Sequence, residues 1–339
     1  MTTKRVTLFA IVLATCVLFV GCKKEKAEKT VSSTLEACVG MLQFNSAEEF
    51  RETQEKVLAM NEAERREWER QQGFKSYATK CEELFEELEE NGINSDEDIF
   101  HFVKENSDYF FIREEEGEQY LTSYLEFSSF YHFVDENRML QIGNNIIKAF
   151  DEGIISAPIK ERESLLNVTS FYEPASERFY YFEHILNDIL SDPKDYPDGC
   201  NCDREEIIAR KTNGNERTYV RFYIDNATIM TGDPGYDNFI YSQGLRNVCY
   251  HMKVRPYKKT LGVWYWCRRT ITYNVNYSVY DNYNCHMVSD NKQGQDSGGK
   301  IDIILHSFEG YPNIEYYSSV TGYASTPNAS CLITCSTIN

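Results

Sequence analysis

Residues 263–280 alternate with unusual regularity. Val263, Tyr265, Cys267, Ile271, Tyr273, Val275, Tyr277 and Val279 occupy one phase of a period-two pattern. Trp264, Trp266, Arg268, Thr270, Thr272, Asn274, Asn276 and Ser278 occupy the other. Successive side chains of a strand point to opposite faces, so this segment reads as one long strand with a single apolar face. A sheet with one greasy face must bury it, which commits this part of the chain to an antiparallel sandwich or a curled sheet. The surrounding composition agrees. Fifteen of the 24 tyrosines lie at 200–339, and Val220, Phe222 and Ile224 alternate with Tyr219, Arg221 and Tyr223. Val248, Tyr250, Met252 and Val254 form the apolar phase of a further strand, and residues 301–305 read as another. The polar, glycine-bearing stretch 289–300 reads as a loop, and Asp233 to Asn238 as a turn.

The first half follows a different period. Ser46 with Glu49 three residues on has the form of a capping box opening a helix over 46–70, and a second helix begins near Asn61. Tyr77, Cys81, Leu84, Phe85 and Leu88 recur at helical spacing over 76–90, with Asn91-Gly92 as the stop, and Asp96 to Glu105 is a shorter helix. The glutamates of 82–90 read as a solvated face. Residues 109–157 carry hairpin signals and read as a small antiparallel meander, with helix as the rival reading for 145–150. A helix is expected at 176–190. Ser191 to Gly199, with two prolines, is the best domain boundary. The expected organisation is α+β: residues 1–21 a leader, 22–33 a tether, 34–192 a helical domain with the meander, and 198–339 a Tyr- and Cys-rich β domain.

Charge is divided unevenly across that boundary. Residues 31–199 hold 15 basic and 38 acidic side chains, whereas residues 200–339 hold 14 and 13. A chain this acidic lacks the basic surface that phosphate neutralisation requires, so nucleic acid is excluded as a partner.

Lys4 and Arg5 precede an apolar run from Val6 to Val20, broken only by Thr7 and Thr15. The run is signal-peptide length, short for a membrane span of roughly 20 residues. It ends in Leu18-Phe19-Val20-Gly21-Cys22, which resembles the lipobox of bacterial lipoproteins. The resemblance implies cleavage before Cys22, which leaves 318 residues, and lipid on that cysteine. More than one acyl chain, palmitate among them, would give stable anchoring. Lys23 to Lys29 is too charged to bury apolar area and reads as a solvated tether. No Asp follows Cys22, so the expected address is the cell envelope at the outer membrane, with membrane lipid as the first partner.

A second resemblance runs along the chain. Gly40-Met41-Leu42-Gln43-Phe44 leading to Glu48-Glu49-Phe50, then Glu64 to Glu69 around Trp68, Gly73-Phe74-Lys75-Ser76, Arg138 to Gly143 and Leu261-Gly262-Val263-Trp264 resemble segments of an uncharacterised family of lipoproteins of Gram-negative gut anaerobes. The family implies layout and location. It carries no assigned activity and no site residues.

The zinc-protease helix motif, the phosphate-cradling loop, the dinucleotide glycine pattern and the nucleophile elbow are absent from the sequence. The six histidines are scattered, no catalytic residue is assigned, and neither cofactor nor metal is expected. Of eleven cysteines, Cys16 lies in the leader and Cys22 is the anchor, leaving nine. Export favours disulfides, and Cys200, Cys202, Cys249, Cys267, Cys285, Cys331 and Cys335 are the candidates in the β-rich part, with at least two bonds expected. Cys331 or Cys335 with Cys200 or Cys202 is the preferred pairing. Cys249 with Cys267 is disfavoured, because Cys249 lies opposite the apolar phase of its strand. For ligand binding, Trp264, Trp266 and Arg268 share the polar phase of the long strand and could stack on a sugar or anchor an envelope protein. The expected function is therefore a non-enzymatic surface binding protein for glycan or protein. A secreted enzyme with a site assembled from distant residues, or a structural envelope component, are the alternatives.

Overall fold

The computed structural model describes residues 40–115, 117–126, 128–172, 176–183, 199–202, 206–227, 233–242, 246–281, 284–310 and 317–336. The leader, Cys22 and the tether lie outside them. Residues Val39–Asn339 form one compact unit. No helix among the described residues is long and apolar enough to cross a membrane.

Four capped helices open the fold. α1 (Ala47–Leu58) starts at Ser46, whose side chain accepts the Glu49 N–H, and buries Phe50, Gln54, Val57 and Leu58 along one stripe. α2 (Glu62–Gln72) carries the full capping box, Asn61 with Glu64, and ends at Gly73 with φ 64°. That left-handed stop suits glycine, which has no Cβ to clash. α3 (Tyr77–Asn91) is capped by Ser76 and α4 (Asp96–Glu105) by Ser95 with Asp98. Two short helices follow later, α5 (Arg162–Leu166) and α6 (Pro234–Ser242). The stretch from Asp233 expected to be a turn therefore opens a helix, with Asp233 accepting the N–H groups of Gly235 and Tyr236.

Three sheets complete the unit. One contains β1 (Gln43–Phe44), β4 (Met139–Ile142), β5 (Asn145–Ala149), β6 (Gly153–Pro158) and β7 (Tyr180–Glu183), in that order. The central sheet runs β2 (Phe110–Glu115), β3 (Glu118–Ser123), β12 (Val263–Trp266), β11 (Arg246–Thr260), β10 (Glu216–Ala227), β9 (Glu206–Asn213) and β8 (Gly199–Cys202), with β15 (Ile301–Gly310) also paired to β11. The third is β14 (His286–Asp296), β13 (Ile271–Asp281), β16 (Tyr317–Ser325) and β17 (Ser330–Ser336). Pairing is antiparallel except at β1 with β4 and β3 with β12. The architecture is thus mixed α and β, and mostly β in the later part, as expected.

Several local expectations need correction. The segment 109–157 is not one meander. Its hairpin β2–β3 joins the central sheet, and only β4 to β6 form a meander, in another sheet. Residues 145–149 are strand. Tyr180–Glu183 is a strand where helix was expected, and 184–198 lies outside the described residues. The alternating run 263–280 is two strands: β12 ends at Trp266 in the central sheet and β13 begins at Ile271 in the four-stranded one. The pattern survives the break because Cys267 and Ile271 keep the same parity, and both are buried. The polar stretch 289–300 is strand up to Asp296, an outer strand whose side chains are mostly exposed. The boundary expected at 191–199 lies almost wholly outside the described residues, and strands from before and after it share the central sheet.

Two cores result. One joins α1 to α4 with Leu140, Ile142, Ile147 and Ile154 of the five-stranded sheet and with Val263 and Tyr265 of β12. The other lies between the central and four-stranded sheets, where Val248, Tyr250, Met252 and Val254 of β11 meet Ile271, Val275, Tyr277 and Val279 of β13. The central sheet is covered on both faces.

Candidate functional site

A cleft of about 500 Å³ opens where α1, β15 and the four-stranded sheet meet. Glu55, Leu58 and Ala59 form its α1 wall. Ile303 to Ser307, five consecutive residues of β15, form the floor, and Tyr273 and Lys292 face them from β13 and β14. The register explains Lys292: it stands opposite Val275, an inward-facing residue, so it points into the mouth between the sheets. His306 Nε2 lies 3.3 Å from Asp281 Oδ2. Tyr277 donates its hydroxyl to the Leu305 carbonyl at 2.7 Å, which fixes the floor to the sheet below. The cleft offers apolar surface with one carboxylate, one ammonium, one imidazole and one phenol set around it. That combination orients a ligand and excludes water over part of it.

The tryptophans of the expected site lie elsewhere: Trp264 is buried and Trp266 half-buried. Trp264 is 2% exposed. Its indole N–H donates to Glu118 at 3.0 Å, and the Arg217 guanidinium sits 4.0 Å from its ring centroid. Arg217 in turn donates to Glu118 at 2.5 Å. Burial pushes the Glu118 carboxyl up, but the hydrogen bonds from Arg217 and Trp264 outweigh it and hold the group at about 2. Trp266 stacks on Phe85 with centroids 3.8 Å apart. Arg268 pairs with Glu62 at 3.0 Å and with Glu86. Trp264 therefore has no open ring face for stacking, while Trp266 and Arg268 remain partly exposed. Each of these groups is engaged by a partner distant in sequence, which a single strand pattern does not reveal.

A cluster of strongly perturbed ionisable groups lies under the helical layer, on the other face of β11. Lys253 Nζ is 3.4 Å from Asp302 Oδ2 and also donates to the Glu126 carbonyl. Arg255 Nε reaches Glu126 Oε1 at 3.2 Å. His251 Nδ1 is 3.9 Å from Asp302 and its ring stacks on Tyr223. The Asp225 carboxylate accepts the Ser129 N–H, and Lys300 pairs with Glu82. Glu82 is thus buried, where a solvated face was expected. Burial works to raise the Asp302 carboxyl, yet Lys253 and Arg255 hold it well below the usual range. Burial lowers Lys253 and Lys300 to about 8, and it lowers His132 well below and His251 below the usual imidazole range. Displaced proton affinities often mark active sites. Here the groups are enclosed, and Lys253, Arg255 and Lys300 each have a carboxylate partner in Asp302, Glu126 and Glu82, the arrangement of a structural ion network.

The cysteines divide by position. Cys81 and Cys267 are buried free thiols, which burial pushes up to about 12, so both stay protonated and inert. Cys249 stands opposite Asp225 and Ser307, away from the apolar face of β11. Cys285 is exposed in the turn before β14 with φ 53°. Cys331 and Cys335 are buried on β17, which runs beside β8, the strand of Cys200 and Cys202. No group of three His, Cys, Asp or Glu among the described residues is placed to hold a metal.

No family model matches the chain, and no curated protein matches it. A solved structure similar to it is that of a DUF4848 family protein from Bacteroides thetaiotaomicron, at 15% identity and a TM-score of 0.30, covering 86% of this chain and 93% of that one. A likeness this low carries no argument about function.

Proposed function

We propose that the chain is an exported lipoprotein, held at the outer membrane by lipid on Cys22, whose folded part binds glycan or protein in the cleft between α1, β15 and β14. One observation carries the binding reading. This cleft, among the described residues, opens to solvent with mixed apolar and polar character, whereas the ionic cluster on the odd face of β11 is enclosed and already paired. The lipobox supports the anchor. The adjacency of β17 and β8 supports a disulfide from Cys335 to Cys200 or Cys202, in keeping with an oxidising compartment.

Two variants test the reading in its parts. Cys22→Ser in the producing cell should leave an unlipidated precursor that keeps its leader. Continued cleavage and membrane retention would reject the anchor. Lys292→Glu, on an outer strand, should weaken binding to a panel of glycans and envelope proteins with little change in Tm. Binding that is unchanged by Lys292→Glu but lost in Trp266→Ala would return the site to the tryptophan strand.

A further inference from the structure

The floor of the cleft is a strand edge. Among the described residues β15 pairs with β11 alone, and the direction of its outer main-chain groups follows from the neighbouring hairpin. β11 and β12 are joined by the two-residue turn Leu261-Gly262, closed by the pair Thr260 and Val263. In such a hairpin the closing pair exchanges both hydrogen bonds, and the pattern then alternates. Even-numbered residues of β11 therefore turn their main chain toward β12, and odd-numbered ones toward β10. Two bonds agree: Cys267 N–H donates to the Pro256 carbonyl, and Lys259 N–H donates to the Asn215 carbonyl on the β10 side. β10 occupies one side of β11, so β15 lies on the β12 side. Ile301 and Ile303, the partners of Val254 and Met252, face β11. Asp302 and Ile304 between them turn their N–H and C=O outward. Beyond the bulge at Leu305, Ser307 is the partner of Cys249 and likewise turns outward.

We infer that an extended polypeptide segment docks in the cleft by adding a strand to the outer edge of β15. This inference rests on the cleft being the binding site and names the class of partner. An unpaired strand edge recognises main chain, because its donors and acceptors recur at the spacing of another strand. Five residues of floor accept about 17 Å of extended chain. Ile303 and Ile304, both half-buried on the floor, supply apolar contacts for the docked side chains. Glu55 on one wall and Lys292 on the other favour a segment carrying a basic side chain toward α1 and an acidic one toward β14. The Arg51–Glu309 ion pair at 2.5 Å ties α1 to β15 beyond the cleft and keeps the wall in place. A sugar would use the Tyr273 ring but leave the outward amides of Ile304 and Ser307 unmatched.

The test uses the full lipidated chain in detergent and a displayed library of random twelve-residue peptides. The tightest binder is resynthesised with single N-methyl groups along its main chain. The inference expects affinity to fall about tenfold at alternate residues and little between them, as single main-chain hydrogen bonds are lost. It expects Ala59→Trp, an exposed position on the cleft wall, to abolish binding with Tm unchanged, and Ser307→Pro to weaken it. A binder indifferent to N-methylation, or one still bound by Ala59→Trp, overturns strand addition. No peptide binder, with a glycan bound in a manner blocked by Ala59→Trp, overturns it while leaving the cleft as the site. If neither probe is bound there, the reading of the cleft as a binding site falls as well.

Discussion

The two faces of β11 are equally buried and opposite in chemistry. Val248, Tyr250, Met252 and Val254 are fully enclosed against the four-stranded sheet. Cys249, His251, Lys253 and Arg255, one residue out of phase, are no more than 4% exposed beneath the helical layer. On the first face burial is favourable by itself, at about 25 cal/mol per Å² of apolar area. On the second, each charge loses water and must be repaid by a partner at close range, so the net gain is small and depends on every partner staying in place. The same strand thus joins one sheet by a tolerant contact and the helical layer by an exacting one. The exacting joint fixes which residues of the loop at 126–132 and of β15 meet, since Lys253 and Arg255 reach Glu126 while Asp225 holds Ser129.

The largest contrast should come from removing one charge. Asp302→Asn leaves Lys253, Arg255 and His251 around a neutral group, and should cost about 3–5 kcal/mol in chemical denaturation, as for one broken half of a buried pair. Met252→Ala on the apolar face should cost about 2–5 kcal/mol through lost burial and a cavity. Its loss should be the same at pH 5 and pH 8. A loss for Asp302→Asn below 1 kcal/mol would show that water reaches the ionic face.

Acid should separate the faces next. Burial lowers the proton affinity of His132 and His251 in the folded chain, His132 the more strongly, below that of the unfolded chain, where histidine takes up protons near pH 6.5. The unfolded state then binds more protons, so stability falls as pH drops from about 7 to 5, by up to about 1.4 kcal/mol per pH unit for each histidine. Asp151 acts in the opposite sense. Burial raises its carboxyl to about 6, so its contribution is present in acid and lost as pH rises through 6. His132→Phe, which keeps the ring, should flatten the fall in Tm between pH 7 and 5. An unchanged slope would remove His132 from the account.

The smallest effect concerns the tip of the hairpin. Leu261 has φ 52° and is 76% exposed, while Asp96 accepts the N–H groups of Gly262 and Val263 beside it. A leucine gains nothing there and carries the left-handed strain that glycine avoids. Leu261→Gly should raise stability by about 1 kcal/mol, read as a higher Tm. A lower Tm would mean that the leucine side chain is held by a contact.

Local signals carried much of the fold. Ser46, Asn61, Ser76 and Ser95 cap helices, Gly73 and Gly92 stop them, and the even phase of 248–254 faces a core. These are decided within one or two turns of chain. The break between β12 and β13 escaped because a strand can change sheets without changing phase, as Cys267 and Ile271 do. β14 resembled a loop because an outer strand needs only one pairing edge and can be polar throughout, which also guards its free edge. The ionic face was hidden because Lys253 and Arg255 look like solvated charges until Glu126 and Asp302, about 130 and 50 residues away, are brought to them. Trp264 was misplaced for the same reason, its partners Glu118 and Arg217 being remote. The cleft has no sequence signature, since it is assembled from α1, β13, β14 and β15.

The central claim is that the odd face of β11 holds the helical layer by matched charges rather than by favourable burial. A double-mutant cycle on Lys253→Met and Asp302→Leu, followed by chemical denaturation at pH 7, tests it directly. The account predicts that each single change is strongly destabilising and that the pair together costs less than either alone, because two apolar groups of similar volume leave no buried charge unmatched. Additive losses in the double variant would contradict it.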